Sequence, residues 1–328
     1  MDRQINIGIV GYGNLGKGVL LALKQNPDMQ PVAVFTRRNP DEVSVEDKDV
    51  AVEHVSNIAE YQNKVDVMIL CGGSATDLPE QGPSIAKRFN TVDSYDTHAK
   101  IPEYFAAVDE AARANGKTSV ISAGWDPGLF SLNRMLMEAV LPNGKTYTFW
   151  GKGLSQGHSD AVRRVEGVKA GVQYTIPSEE AMERVRSGEN PALTTADRHK
   201  RECYVVAEEG ADKAKIEHDI ITMPDYFADY ETTVHFIAEE ELRKNHAKMP
   251  HGGFVIHSGK TSEDHKQIIE FSLKLESNPE FTASVLVAYA RAAFRLNAAG
   301  QTGAKTLFDI PPGLLSMRSP EELRKELL

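Results

Sequence analysis

Cysteine is nearly missing from this chain: Cys71 and Cys203 are the only two in 328 residues. Two isolated cysteines exclude a disulfide framework and a Cys-rich structural zinc site. Tryptophan is equally scarce, with Trp125 and Trp150 alone. The ten histidines follow no metal-ligand spacing, with no HExxH run and no paired Cys/His cluster, so no metal is expected. No apolar stretch approaches the roughly 20 residues that span a bilayer. The opening residues, MDRQINIGIV, lack the long apolar region and cleavage site of a secretory leader. An excess of positive charge is also lacking. The formal balance is −10, which argues against a nucleic-acid partner. The expectation is a reduced, cytoplasmic, globular chain with neither membrane nor nucleic acid as partner, long enough for two domains.

What is present begins at Ile5. The apolar run Ile5 to Val10 stops at Gly11-Tyr12-Gly13-Asn14-Leu15-Gly16, and a helical pattern follows. This is the dinucleotide fingerprint between a strand and a helix. Gly11 permits the tight turn, Gly13 lets backbone approach a pyrophosphate, and Gly16 lets the helix pack closely. The helix N-terminus offers N–H groups to the phosphates. Pro31 to Phe35 reads as the next strand, ending in Thr36-Arg37-Arg38. An NAD site usually carries an acid here. Two guanidiniums and a hydroxyl instead suit a 2′-phosphate, so NADP is the expected cofactor. A solvated basic turn is the plain alternative.

Strands and helices then alternate. A helix is expected through Ile58 and Tyr61, and another from Gln81 to Phe89. Val65 to Leu70 is a strand ending in Cys71-Gly72-Gly73-Ser74-Ala75-Thr76, small residues that let a loop lie against a cofactor. Thr91 to Tyr95, including Ser94, leads to Asp96. Thr118 to Ser122 leads to Trp125-Asp126. Cys71 also reads simply as a small core residue. The alternation implies an α/β fold, a doubly wound parallel sheet of Rossmann type. Ligands bind beyond the strand C-termini, so these loops should share one crevice with the fingerprint.

The texture changes near residue 125. The later β-rich runs are Thr146–Trp150, 172–176, 202–207, 232–238, 253–257 and 267–276. They suggest one mixed or antiparallel sheet in a second, α+β domain. The expected division is 1–124 for the cofactor domain, 125–278 for a substrate and dimerisation domain, and 279–328 for C-terminal helices.

Several residues could carry chemistry. Asp96 and Asp126 could hold a substrate ammonium and take its proton; a helix cap or turn role is as open. Trp125 and Trp150 could wall a substrate or simply pack a core. The loop from Gly153 to Asp160, with Gln156 and Gly157, could meet a carboxylate through backbone N–H groups. His158 and Ser159 belong to no nucleophile motif, which excludes a serine hydrolase. Arg201 could fork onto a carboxylate. Met249-Pro250-His251-Gly252-Gly253 presents His251 on a tight loop.

Taken together, GYGNLG, FTRR, CGGSATDLPEQ, VDSYDTH, SAGWDPGLFSLNR, FWGKGLSQGHSDAVRRVEGV, VQYTIPSE, HKRECYVV, ITMPDYF, MPHGGFVI and NPEFTAS resemble the meso-diaminopimelate dehydrogenase family. The resemblance runs nearly the whole chain. It implies NADP-dependent oxidative deamination of the D-centre of meso-2,6-diaminopimelate, reversibly, by a homodimer. It implies that the C-terminal segment returns to the cofactor domain. It places Asp96, Asp126 and Trp150 at the reacting D-centre, with Trp125 close by and Gln156-Gly157 in support. Thr175, Arg201, His251 and Asn278 would anchor the L-centre. Asp126 is the first choice of base, Asp96 the second and His158 a distant third. A broader NADP-dependent D-amino acid dehydrogenase and a non-catalytic NADP sensor are the rival readings.

Overall fold

The computed structural model describes residues 3–328, apart from the side chain of Gln156. The chain forms two compact units, 1–132 with 279–328, and 133–278. Six strands come first: β1 (Ile5–Val10), β2 (Met29–Thr36), β3 (Ala51–His54), β4 (Val67–Leu70), β5 (Asn90–Asp93) and β6 (Thr118–Val120). Seven follow in the second unit: β7 (Gly144–Trp150), β8 (Gly153–Leu154), β9 (Val168–Pro177), β10 (His199–Ala207), β11 (Thr232–Phe236), β12 (His251–Lys260) and β13 (Lys266–Leu275). The last strand, β14 (Gly303–Lys305), belongs to the first unit.

In the first unit the strand order is β14-β6-β5-β4-β1-β2-β3. Every pairing is parallel. Parallel strands covered on both faces read as continuous apolar runs, and VMIL in β4 is buried throughout. Helices Asn14–Leu23 and Asn278–Ala298 cover one face, with Val19, Leu286 and Ala290 in its core. Helices Leu78–Ala86 and Ile101–Ala114 cover the other, with Ile85, Tyr104 and Val108. Arg291 fastens the C-terminal segment. Its buried guanidinium donates to Asp28 at 2.6 and 2.7 Å, to Asn26 at 2.7 Å and to the Leu315 carbonyl at 2.7 Å. The strand order reverses between β1 and β4, the switch point at which such sheets bind ligands.

The second unit holds two sheets, not the single sheet the β-rich runs suggest. One is antiparallel, β13-β12-β7, and the other mixed, β11-β10-β9-β8. The cause lies after Trp150. Gly151 takes a φ of +109°, which turns the chain out of the β12 ladder and into β8 on β9. Two expected helices also differ. Val55–Tyr61 is a 3-10 segment. Asn57 and Tyr61 both donate to Glu53, at 3.1 and 3.0 Å, drawing the segment back onto β3. The helix expected from Gln81 starts at Leu78, where Pro79 favours a first turn, and it ends at Ala86.

Candidate active site

The first unit gathers the fingerprint and three more loops at the C-terminal ends of its strands. Gly11 has a φ of +96°, and a Cβ at Gly16 would collide with the Gly11 carbonyl. Those two glycines are therefore required by the turn itself. Gly13 is different: a Cβ there would meet nothing, so its face is open to a ligand. Gly13 caps the helix, whose N-terminal end carries the positive pole of its dipole. Asn14 and Leu15 begin this helix.

The basic turn is more constrained than a solvated one. The Thr36 hydroxyl accepts from Arg38 N at 3.1 Å, and the Arg38 guanidinium donates to the Tyr12 carbonyl at 3.2 Å. Arg37 pairs with Asp77, with Nη1 and Oδ1 at 2.8 Å. Across the switch point, the loop after β4 runs from Cys71 to Thr76. Burial pushes the Cys71 thiol well above its usual range, so it is not a nucleophile at neutral pH. Ser74 joins this loop to the next: Asp96 N donates to its hydroxyl at 2.9 Å. Asp96 is exposed.

Not every expected cofactor residue turns its side chain to this opening. Tyr12 is buried in one core and Tyr95 in the other. The Tyr95 ring stacks on Tyr104 at 4.1 Å, and its N–H donates to Asp93 at 2.9 Å. Buried Asp93 also accepts from Tyr104 and from Ser122 N, at 2.7 and 3.2 Å. Burial raises its carboxyl to about 6, against the pull of these donors. This network locks the loop bearing Ser94 and Asp96 to the segment after β6. Trp125 is buried edge-on against Phe130, with centroids 5.2 Å apart, and Asp126 beside it is half-buried.

In the second unit the expected far-end residues converge. Thr175 on β9 lies opposite Arg201 on β10, and Arg201 Nη1 donates to the Thr175 hydroxyl. Both are buried. Gly153 lies opposite Thr175 on the other side of β9, and a Cβ there would strike the His251 ring, with Cγ at 2.5 Å. Only glycine lets the imidazole lie across this backbone. Asn278 N donates to the Met249 carbonyl at 3.0 Å, which brings it to the His251 loop. Gln156 begins a helix capped by Ser155, and Gly157 follows with its face open. The Gln156 side chain lies outside the described residues.

Arg201 dominates the electrostatics. Its exposure is 7%, its guanidinium lies over the Tyr230 ring at 4.1 Å, and its Nε is buried without a hydrogen-bond partner. Among the described residues no carboxylate pairs with it. Burial lowers its pKa from the usual guanidinium value, though arginine stays charged at neutral pH. Burial, then the charge of Arg201, lowers His158 to about 4. Burial chiefly lowers His199 to about 4, with Arg201 and Arg198 adding to it. Both imidazoles are neutral at pH 7, which leaves Arg201 as the concentrated charge.

Sequence reasoning missed His199 and Asp77. His199 Nε2 accepts from Trp150 N at 2.8 Å, and the two rings stack with centroids 5.1 Å apart. Its Nδ1 lies 3.1 Å from the Thr195 carbonyl, which fixes the tautomer with the proton on Nδ1. A signal existed: in HKREC, His199, Arg201 and Cys203 alternate onto one buried face.

Comparison with known proteins follows this geometry. Residues 124–277 match the family model described as the diaminopimelic acid dehydrogenase C-terminal domain. The meso-diaminopimelate D-dehydrogenase of Ureibacillus thermosphaericus is 69% identical over 325 residues, covering 99% of both chains. The crystal structure of Corynebacterium glutamicum DAP dehydrogenase in complex with DAP superposes with a TM-score of 0.90 at 47% identity, covering 99% of each chain. An engineered D-amino acid dehydrogenase bound to NADP+ gives 0.85 at 45% identity, covering 99% of this chain and 100% of that one.

Proposed function

The chain belongs to the meso-diaminopimelate dehydrogenase family, and on that premise we propose which of its residues run the reaction. It is an NADP-dependent oxidoreductase acting on a CH–NH2 centre. The reaction is the reversible oxidative deamination of the D-centre of meso-2,6-diaminopimelate. It yields ammonia and L-2-amino-6-oxopimelate, which cyclises to tetrahydrodipicolinate. In reverse it makes a precursor of lysine and cell wall.

The residues present fit the dinucleotide. The open face at Gly13 and the helix N-terminus suit a pyrophosphate, and Arg37 and Arg38 stand where an NAD site carries an acid. Gly11 to Leu15, Thr36 to Arg38, Cys71 to Thr76 and Ser94 to Asp96 would hold it. When bound, NADP supplies the hydride acceptor of the oxidation. Replacing Arg37 and Arg38 together by Ala should raise the KM for NADP on the order of 100-fold, with little change for NAD. Steady-state kinetics with each cofactor checks this. Equal losses on both would reduce the arginines to structural residues.

Asp126 orients the reacting ammonium and takes its proton, with Asp96 as the second carboxylate. Trp150, held by His199, and Trp125 are the tryptophans assigned to the reacting centre. Gln156-Gly157 supports the reacting centre's carboxylate or the carbon chain. Arg201, Thr175, His251 and Asn278 take the unreactive L-centre. The observation that carries this reading is the Arg201 guanidinium, buried with an unpartnered Nε and no carboxylate beside it. Burying such a charge is costly unless a partner arrives, and a substrate's distal carboxylate is that partner. Holding both ends decides which carbon reacts, which is positioning catalysis.

We also place the enzyme in the cytoplasm as a homodimer. Exposed Met135, Leu136 and Val140 on one helix support a subunit interface. Among the described residues no helix is long and apolar enough to cross a membrane.

The test is cofactor reduction with meso-, L,L- and D,D-diaminopimelate and simple D-amino acids, each alone. Turnover of the meso isomer far above that of every other substrate is expected. Comparable turnover of several D-amino acids would replace this reading by a broad dehydrogenase. No turnover, with NADP still bound, would favour a sensor.

A further inference from the structure

The ion pair between Arg37 and Asp77 links two segments that are not neighbours in the sheet. Arg37 follows β2, and Asp77 precedes the helix after β4; β1 lies between those strands. The pair therefore spans the turn that follows β1. Its two members differ in freedom. The Arg37 side chain is 67% exposed, whereas that of Asp77 is 13% exposed. Asp77 is also fixed by its own loop. Its Oδ2 accepts from Gly73 N at 2.8 Å, and the Gly73 carbonyl accepts from Asp77 N at 2.8 Å and from Leu78 N at 3.1 Å. The carboxylate is a rigid post, and the guanidinium is the long, mobile partner tied to it.

The tie uses the two terminal nitrogens. Nη1 lies 2.8 Å from Oδ1, and Nη2 donates to Oδ2 at 3.1 Å. A guanidinium has five N–H donors, so this engagement leaves the Nε–H edge and the outer Nη hydrogens for another anion. The second arginine is tied on the other side, through the Tyr12 carbonyl and the Thr36 hydroxyl. As a fold contact the pair is of small value, since exposed ion pairs contribute little and are screened. Its value lies in holding a flexible cation at the place where the extra phosphate of the cofactor must be met. An arginine already held in one geometry loses less conformational freedom when it binds.

We propose that Asp77 is a positioning residue for cofactor choice. It holds Arg37 against the 2′-phosphate, and its bond to Gly73 keeps the neighbouring loop in register with that arginine. The proposal rests on the reading that Arg37 and Arg38 meet this phosphate. Asp77 itself touches no reacting atom.

The experiment compares the full-length enzyme with its Asp77→Asn and Arg37→Ala variants, measuring kcat and KM for NADP and for NAD at saturating diaminopimelate. Asparagine keeps an oxygen for Gly73 N–H and removes the charge that holds Arg37. Asp77→Asn should raise the KM for NADP roughly fivefold, leaving kcat and the NAD parameters unchanged. A purely structural role would move both cofactors together, and that result overturns the proposal. A fall in the KM for NADP would also overturn it, because Asp77 would then be a competitor of the phosphate. Arg37→Ala separates the two layers. If it leaves the NADP-to-NAD preference intact, the arginine reading fails and the proposal with it. If it lowers the preference while Asp77→Asn does not, the arginine reading stands and only the proposal falls.

Discussion

Asp126→Asn should lower turnover by about 10²- to 10⁴-fold while NADP still binds, the range for losing a positioned general base. Asparagine keeps the size of the side chain but can neither pair with an ammonium nor take its proton. The backbone around it is firmly set. Phe130 N donates to the Trp125 carbonyl at 2.7 Å, and Gly124 N to the Pro127 carbonyl at 3.1 Å. The exchange should therefore leave the turn in place, and the loss should fall on kcat. Cofactor binding, followed by quenching of protein fluorescence, should be unchanged because the fingerprint and Arg37-Arg38 lie on other loops. Asp96→Asn is the matching control and should cost less. Full activity in Asp126→Asn would remove Asp126 from the mechanism and move the proton to Asp96.

Much of this molecule is legible along the chain, and the rest is hidden for physical reasons. Ile5 to Gly16 declares a strand, a turn and a helix because all three signals are local. The parallel sheet follows from strands alternating with helices. The family motifs name Thr175, Arg201, His251 and Asn278, which lie on separate segments of the second unit. Their meeting is a matter of register, since Thr175 faces Arg201 from one side of β9 and Gly153 from the other side in the ladder. No periodicity reveals that pairing, nor the turn at Gly151 that divides the expected single sheet into two. Asp77 reads in sequence as an acid before a helix, and its hold on a residue forty positions earlier is invisible there. Tyr12 and Tyr95 show the converse, since burial of their rings leaves only their backbone to meet a cofactor. Each stands in a cofactor loop, yet each ring is packed in a core.

Arg201→Met should have the other large effect, and it bears on substrate choice. Removing one member of a buried charge pair costs about 2–5 kcal/mol. That corresponds to a loss of about 30- to 4,000-fold in kcat/KM for meso-diaminopimelate. A simple D-amino acid has no distal carboxylate to lose, so its kcat/KM should stay within a few-fold. Methionine is close in length, and its thioether can pack on the Tyr230 ring where the guanidinium now lies. The variant without substrate should therefore melt no lower than the parent, because an unpaired buried charge has been replaced by an apolar group.

The central claim is that the enzyme recognises both ends of its substrate, with Arg201 at the end that does not react. Its most direct test is the ratio of kcat/KM for meso-diaminopimelate to that for D-alanine, measured in the parent and in Arg201→Met. A fall of that ratio by about 30-fold or more is the predicted result. Equal losses on both substrates would contradict it, because Arg201 would then serve the fold or the reacting centre and not the far carboxylate.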